Sequence, residues 1–336
     1  MPKYRVVSRL ARAFGIRVRK SVRIKPGVYR IQLTNGKQYA LKFMPRTSMS
    51  HIRWIDRALQ RIRKNGFPRI SWRNPQEPEG KKLVVRLKGK PTYVMNPWIR
   101  GRLPSIASNK DMRICGAALA RFHKAGCAMH IPRRGAMYML SQWPSELRKK
   151  HRGLIRNIAK ARRNEFSPAL NRFLQKHGNE LLGYSRQARM LLRRSGYQAA
   201  CRKARNRPTL CHGDAGPTNF ILTKKGTHLI DFETLRIDLR AYDLYRLIYN
   251  ACHVYGWQFR IARSLLDGYQ SVSKLSRAEL KLVKAWLRYP RTTDLLLFKY
   301  NYFGRRVKAN VVRKLPAAIA AERKVTSFLR KLDRYR

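Results

Sequence analysis

Lys42, in the alternating stretch "YALKFM", and a polar set far downstream could together do phosphoryl-transfer chemistry. The downstream set is His212-Gly213-Asp214, Asn219 and Asp231-Phe232-Glu233. Transfer from Mg·ATP needs a carboxylate that orients an attacking hydroxyl or takes its proton. It also needs oxygen ligands for a hard divalent cation, and a lysine on the nucleotide phosphates. Asp214 suits the first task, Asn219 and Asp231 the second, with Glu233 as a further metal candidate, and Lys42 the third. His212 is expected to brace the loop rather than do chemistry. Any one of these acids alone is most simply a turn or an exposed strand end; the ordered spacing of the set carries the specificity.

The surrounding charge sharpens the point. The 336 residues hold 76 Lys+Arg against 17 Asp+Glu, a net charge of +59. Yet Asp214, Asp231, Glu233, Asp238 and Asp243 stand close together in the sequence. Cations can hold a nucleotide's phosphates, but magnesium and a nucleophile need local carboxylates. Hydrophobic residues make up 44% of the chain, enough for a packed core in one large domain or two lobes. Five cysteines without CxxC spacing argue against structural zinc and a disulfide framework, and fit a reducing compartment. Met1–Lys20 is studded with Arg and Lys, and no stretch approaches ~20 apolar residues. Neither a signal peptide nor a membrane span is therefore expected.

The elements that must position the set are readable in outline. Residues 4–14 have the pattern of a short basic amphipathic helix. From Ser21 the period changes, and "SVRIKPGVYRIQLTNGKQYALKFMP" predicts three antiparallel strands with Asn35-Gly36 as a tight hairpin turn. A helix is expected over residues 48–64, then strands near 83–87 and 92–95. "NPWIRGRLP" is a connector, beyond which the chain is mainly helical, including a basic helical stretch over 144–205. "NFILT" and "THLIDF" form a strand pair around Lys224-Lys225-Gly226, which would return Asp231 to the side of Asn219. This is an α+β, bilobal architecture: a β-rich lobe over 1–95, a hinge at 96–102 and a helical lobe over 103–336.

"HGDAGPTN", "LIDFE" and "AYDLYR", in that order, resemble the aminoglycoside-phosphotransferase/choline-kinase branch of the protein-kinase-like fold. Glu233 stands where protein kinases carry the glycine of DFG. With "NGFPRI", "YVMNPWIRGR" and "LARFHKAG", the likeness extends to the CotS-like family of spore-coat-associated kinase-like proteins. The resemblance implies Asp214 as catalytic base, Asn219 and Asp231 on Mg²⁺, and Lys42 on phosphate. It also implies that Tyr93, Val94, Met95 and Asn96 form the hinge whose backbone meets adenine, and that Asp243 braces the catalytic loop. ATP and Mg²⁺ are the implied cofactors, with a hydroxylated or acidic acceptor of unknown identity. The same likeness implies association with spore-coat proteins, while the cationic surface suits an acidic acceptor or another anionic layer and the cysteine pattern suits synthesis in the cytoplasm.

Two features thin the pattern. The phosphate-covering turn "RIKPGVYR" carries Gly27 alone, without a G-x-G-x-x-G run. Asp56 is the sole acid of the 48–64 helix available to pair with Lys42, and its bland alternative is an exposed pairing with Arg53. Asp238 has no assigned role and is expected to face solvent. Two other readings therefore stay open: a catalytically weak or inactive kinase-fold scaffold in coat assembly, and a basic polyanion-binding protein. No recognisable nucleic-acid module accompanies the basic runs, so nucleic acid is the less favoured specific partner.

Overall fold

A computed structural model describes residues 4–44, 47–88, 91–129 and 132–335. Pro45, which ends the third predicted strand stretch, and Arg336, which ends the last helical one, lie outside the described residues.

Alternation does build a sheet in the first part of the chain. Strands β1 (Val18–Lys25), β2 (Val28–Leu33), β3 (Gln38–Met44), β4 (Val85–Arg86) and β5 (Thr92–Pro97) form one antiparallel sheet in the order β1-β2-β3-β5-β4. Because side chains alternate across a strand, Tyr39 and Leu41 face one side and Lys42 and Met44 the other. The Tyr39/Leu41 side packs with Ile31, Leu33 and Met95 against Val7, Leu10 and Phe14, at helix α1 (Tyr4–Ala13). Met44 and Val94, on the opposite side, join the large core that runs into the helical lobe. Lys42 pairs with Val94 in register and so stands on the side turned to that lobe.

Helix α2 (Met49–Lys64) starts where Ser48 Oγ accepts the His51 N–H at 3.2 Å, and is stopped at Asn65-Gly66, with Gly66 at φ 87°. The connector after β5 is pinned by Arg102, whose guanidinium forks onto Asp111 near the start of helix α3 (Asn109–Ala125). The basic stretch forms three helices, α4 (Trp143–Arg162), α5 (Pro168–Arg194) and α6 (Tyr197–Asn206). Two short strand pairs follow: β6 (Thr209–Cys211) with β9 (Arg236–Asp238), and β7 (Phe220–Thr223) with β8 (Gly226–Leu229). Five helices complete the chain: α7 (Arg240–Cys252), α8 (Phe259–Gln270), α9 (Arg277–Arg288), α10 (Arg291–Tyr302) and α11 (Arg305–Asp333). The result is a protein-kinase-like fold, an antiparallel sheet lobe joined to a helical lobe. Among the described residues, no helix is long and apolar enough to cross a membrane.

Candidate active site

The β7–β8 hairpin pairs Phe220 with Leu229, so the chain beyond β8 returns to the residue before β7. Ile230 N–H donates to Asn219 O at 3.1 Å, which sets Asp231 beside Asn219. Asp231 then turns with φ 68° and ψ 61°, a left-handed conformation that costs a non-glycine residue on the order of 1 kcal/mol. That turn carries its carboxylate to the underside of the sheet, where Lys42 Nζ sits 2.7 Å from Asp231 Oδ1 and also contacts Glu233 Oε1. Burial alone would lower the Lys42 pKa, but the charges of Glu233 and Asp231 outweigh it and hold the ammonium above its ordinary range. Burial would likewise raise Asp231, and Lys42 reverses this, keeping its carboxyl below the usual range. Lys25 reaches the same carboxylate from β1, at 3.5 Å from Oδ2. Gly27, at φ 77°, makes the β1–β2 turn beside it, its carbonyl accepting Phe43 N–H at 2.8 Å.

The 212–219 loop is held from below. Asp243, fully buried on α7, accepts the His212 N–H at 2.5 Å and the Gly213 N–H at 2.8 Å. His123 Nε2 lies 2.9 Å from the same carboxylate, and its Nδ1 meets the Tyr269 hydroxyl at 2.8 Å. His212 Nε2 ties the loop to Ile230 O at 2.8 Å. Gly213 is required as glycine: it has φ 82°, and a Cβ there would stand 2.1 Å from Thr234 O. Asp214, next in the chain, is half-exposed, with one carboxylate oxygen paired to Arg246 of α7. Asn219 Nδ2 donates to Asp214 O at 2.9 Å, which leaves the Asn219 carbonyl oxygen for another partner.

Two expectations need correction. Asp56 does not reach Lys42. It is buried, and Arg73 Nε donates to Oδ1 at 2.8 Å and Trp72 Nε1 donates to the same oxygen at 2.8 Å. Asp56 shares the buried side of α2 with Ile52, Ile55 and Leu59, and these two donors claim its carboxylate. Nor is it exposed against Arg53. The α2 residue that reaches the site is His51, whose Nε2 lies 3.2 Å from Glu233 O. Tyr93, Val94, Met95 and Asn96 are inside β5, paired with Phe43, Lys42, Leu41 and Ala40, and the chain leaves the sheet after Pro97. β4 pairs with Thr92 and Tyr93 alone, so no strand flanks the remainder of β5 on that edge among the described residues.

Asp238 is the second correction. It is fully buried, taking Trp143 Nε1–H at 2.9 Å and its neighbour Leu239 N–H at 2.8 Å. Burial pushes its pKa up to about 7, against the opposing pull of Trp143 and Arg236. A raised carboxyl is neutral in both states at low pH, and the unfolded chain ionises first as pH rises. Stability should therefore fall between about pH 4 and about pH 7. Asp238→Asn removes this slope, so unfolding curves at about pH 5 and about pH 8 should show a smaller loss for the variant. Glu322, also buried and raised to about 7, is common to both proteins and cancels. Parallel profiles would show that Asp238 is already ionised in the fold.

Arg246, His51, His123 and Lys25 were missed by sequence reasoning. Arg246 had a signal: it lies three residues after Asp243, the spacing that sets both on one side of α7.

Known proteins share this arrangement of chain. Over nearly its whole length the fold is similar to an aminoglycoside phosphotransferase from Alicyclobacillus acidocaldarius subsp. acidocaldarius DSM 446, with a TM-score of 0.74 and 18% identity, covering 94% of this chain and 93% of that one. It is similar to spectinomycin phosphotransferase APH(9)-Ia in complex with ADP and spectinomycin, with a TM-score of 0.67 and 14% identity over 99% of both chains. The amicoumacin kinase hAmiN, solved with AMP-PNP and Ca²⁺, has a TM-score of 0.58 and 16% identity, covering 96% of this chain and 94% of that one. Among curated relatives, the homoserine kinase of Acidiphilium cryptum (strain JF-5) is 35% identical over 108 residues, which is 31% of this chain. That match spans about a third of the relative's length, 34%. A profile of the phosphotransferase enzyme family matches residues 24–283. That span takes in the lysine strand, the 212–219 loop and α7 together, and the chain belongs to the phosphotransferase enzyme family.

Proposed function

We propose that this protein transfers the γ-phosphoryl group of Mg·ATP to a hydroxyl of a small-molecule acceptor. The observation that carries the reading is the meeting in one cleft of Lys42 with Asp231 and Glu233, beside the loop that holds Asp214 and Asn219. The donor set fits a hard cation: Asp231 and Asn219 offer oxygens, and Glu233 stands within reach of the same lysine. Magnesium, when bound there, neutralises phosphate charge. Lys42 holds the nucleotide phosphates, and the free edge of β5 and the connector after it face the base. Asp214 orients the acceptor hydroxyl, with Arg246 fixing one of its oxygens. A bond forms between the acceptor oxygen and the γ-phosphorus, and the bond to the β,γ-bridging oxygen breaks. ADP leaves with that electron pair and Asp214 receives the hydroxyl proton. The ADP and AMP-PNP held by the structural neighbours support nucleotide as co-substrate.

Calorimetric titration of Mg·ATP tests the reading. Binding is expected at or below about 1 mM. Asp231→Ala should erase the difference between titrations with magnesium and with EDTA. A difference that persists in the variant would remove Asp231 from the metal, and no binding to the wild type would remove the kinase reading.

One observation favours a nucleotide-binding scaffold as the second reading. Lys42 has no carboxylate from α2, and both its partners belong to the segment that would hold the metal. Nucleotide binding without turnover is the outcome that selects it. The likeness of "WIRGR" and "YDLYR" to CotS-like proteins supports a spore-coat setting, although both motifs also have structural work here through Arg102, Asp243 and Arg246.

A further inference from the structure

Arg246, Tyr249, Asn250 and His253 recur on α7 and just beyond it at the spacing that places residues on one helical face. That face lies against the 212–219 loop, since Arg246 pairs with Asp214 and Asn250 Nδ2 donates to Ala215 O at 2.8 Å. Arg291, the first residue of α10, reaches over the same face. Its guanidinium carbon is 5.6 Å from the centre of the Tyr249 ring, and that of Arg246 is 5.9 Å from it. His253 stacks on this ring at 4.7 Å, and burial together with the two arginines lowers its pKa and keeps it neutral.

The charge count here is lopsided. Asp214 is the acid on this wall, and its charge is matched by Arg246. Arg291 has no acid partner among the described residues; its charged neighbour is Arg246, and Tyr242, Tyr245 and Tyr249 supply the rest of its surroundings. The nearby carboxylates are otherwise engaged: Asp294 pairs with Lys150 at 2.7 Å, and Glu322 accepts the Thr292 N–H at 3.0 Å. A partly buried guanidinium that shares the Tyr249 ring with Arg246, the partner of Asp214, therefore lacks a counter-charge. A cationic acceptor would meet repulsion there, whereas an anionic one would complete the pair.

We infer that the acceptor carries a carboxylate or phosphate group as well as its hydroxyl, and that Arg291 is the residue that selects it. The inference rests on the phosphotransferase reading for the identity of the acceptor side. It can nevertheless be tested without nucleotide. Gluconate, glucitol 6-phosphate and glucitol share an open polyhydroxyl chain and differ in charge, so calorimetric titration of the intact protein with each isolates the anion. At about 0.15 M salt, gluconate or glucitol 6-phosphate should bind about tenfold or more tightly than glucitol. Which of the two is preferred separates carboxylate from phosphate.

Arg291→Gln should remove most of that preference, and Arg291→Lys should restore part of it. Arg323→Gln, on α11 where the residue pairs with Glu180, should leave it unchanged despite the equal loss of charge. Asp214→Asn should strengthen anion binding several-fold, because it frees Arg246 from its counter-ion. Equal affinity for glucitol and both anions, or a preference that survives Arg291→Gln, would overturn the inference. Failure of Mg·ATP to bind is a separate result that overturns the kinase reading and leaves the anion site to stand on these titrations.

Discussion

Asp214→Asn should cut phosphoryl transfer about a thousandfold while Mg·ATP still binds. The magnitude follows from the kind of transition state expected. In a loose phosphoryl transfer the attacking hydroxyl has lost little of its proton when the old bond is nearly broken. Asp214 then acts by holding the hydroxyl in line and by supplying charge, and a general-base residue in such a role is worth roughly 10²–10⁴ in rate. Asn keeps the shape and still offers an oxygen to Arg246, so the fold should lose no more than about 1–2 kcal/mol. The measurement is turnover with any acceptor that the wild type phosphorylates, beside a denaturation curve and a nucleotide titration. Unchanged turnover would sink the assignment of Asp214; lost nucleotide binding would point instead to collapse of the loop.

The same residue illustrates what could be read from the chain alone. Asp214, Asn219 and Asp231 lie in one short stretch, and a hairpin between two strands is enough to bring them together. Local patterns settle such geometry, because two short apolar runs, Phe220-Ile221-Leu222 and Leu229-Ile230, flank the turn Lys224-Lys225-Gly226. Lys42 was legible for a related reason: period-two alternation fixes which side of β3 it occupies. Asp56 failed because the pattern gives a helix its buried stripe but not the rotation of that stripe against its partners. Arg73, the residue that claims it, lies in irregular chain after α2, where no periodicity exists. Asp238 failed through a prior, that carboxylates face water. Its burial depends on Trp143, which belongs to a distant helix and brings an indole N–H to it. Strands β6 and β9 were missed because three residues are too few to show alternation.

Asp243→Ala should be the most destabilising single change in the site, by about 3–5 kcal/mol. The carboxylate is fully buried and serves three donors: the backbone N–H groups of His212 and Gly213, and His123 Nε2. Burial by itself would raise its pKa, but the His123 hydrogen bond and charge, with help from His212 and Gly213, hold it below the usual range. A depressed carboxyl contributes stability that is complete above the ordinary carboxylate pKa and is lost as pH falls through the lower folded value. Alanine removes that contribution at every pH and strands the three donors in a dry interior, where each unpaired group costs about 1–3 kcal/mol. An acid exposed at the start of a helix would cost under about 1 kcal/mol on removal, so a denaturant midpoint decides between brace and surface residue. Asp243→Asn refines the test. Its amide oxygen can accept one of the two backbone N–H groups, but its NH₂ must then face the other. Stability should fall between wild type and alanine, and turnover should fall with it, because the loop that presents Asp214 hangs from those two hydrogen bonds. An asparagine variant with wild-type turnover would mean that His212 and the Gly213–Thr234 contact position the loop without the carboxylate.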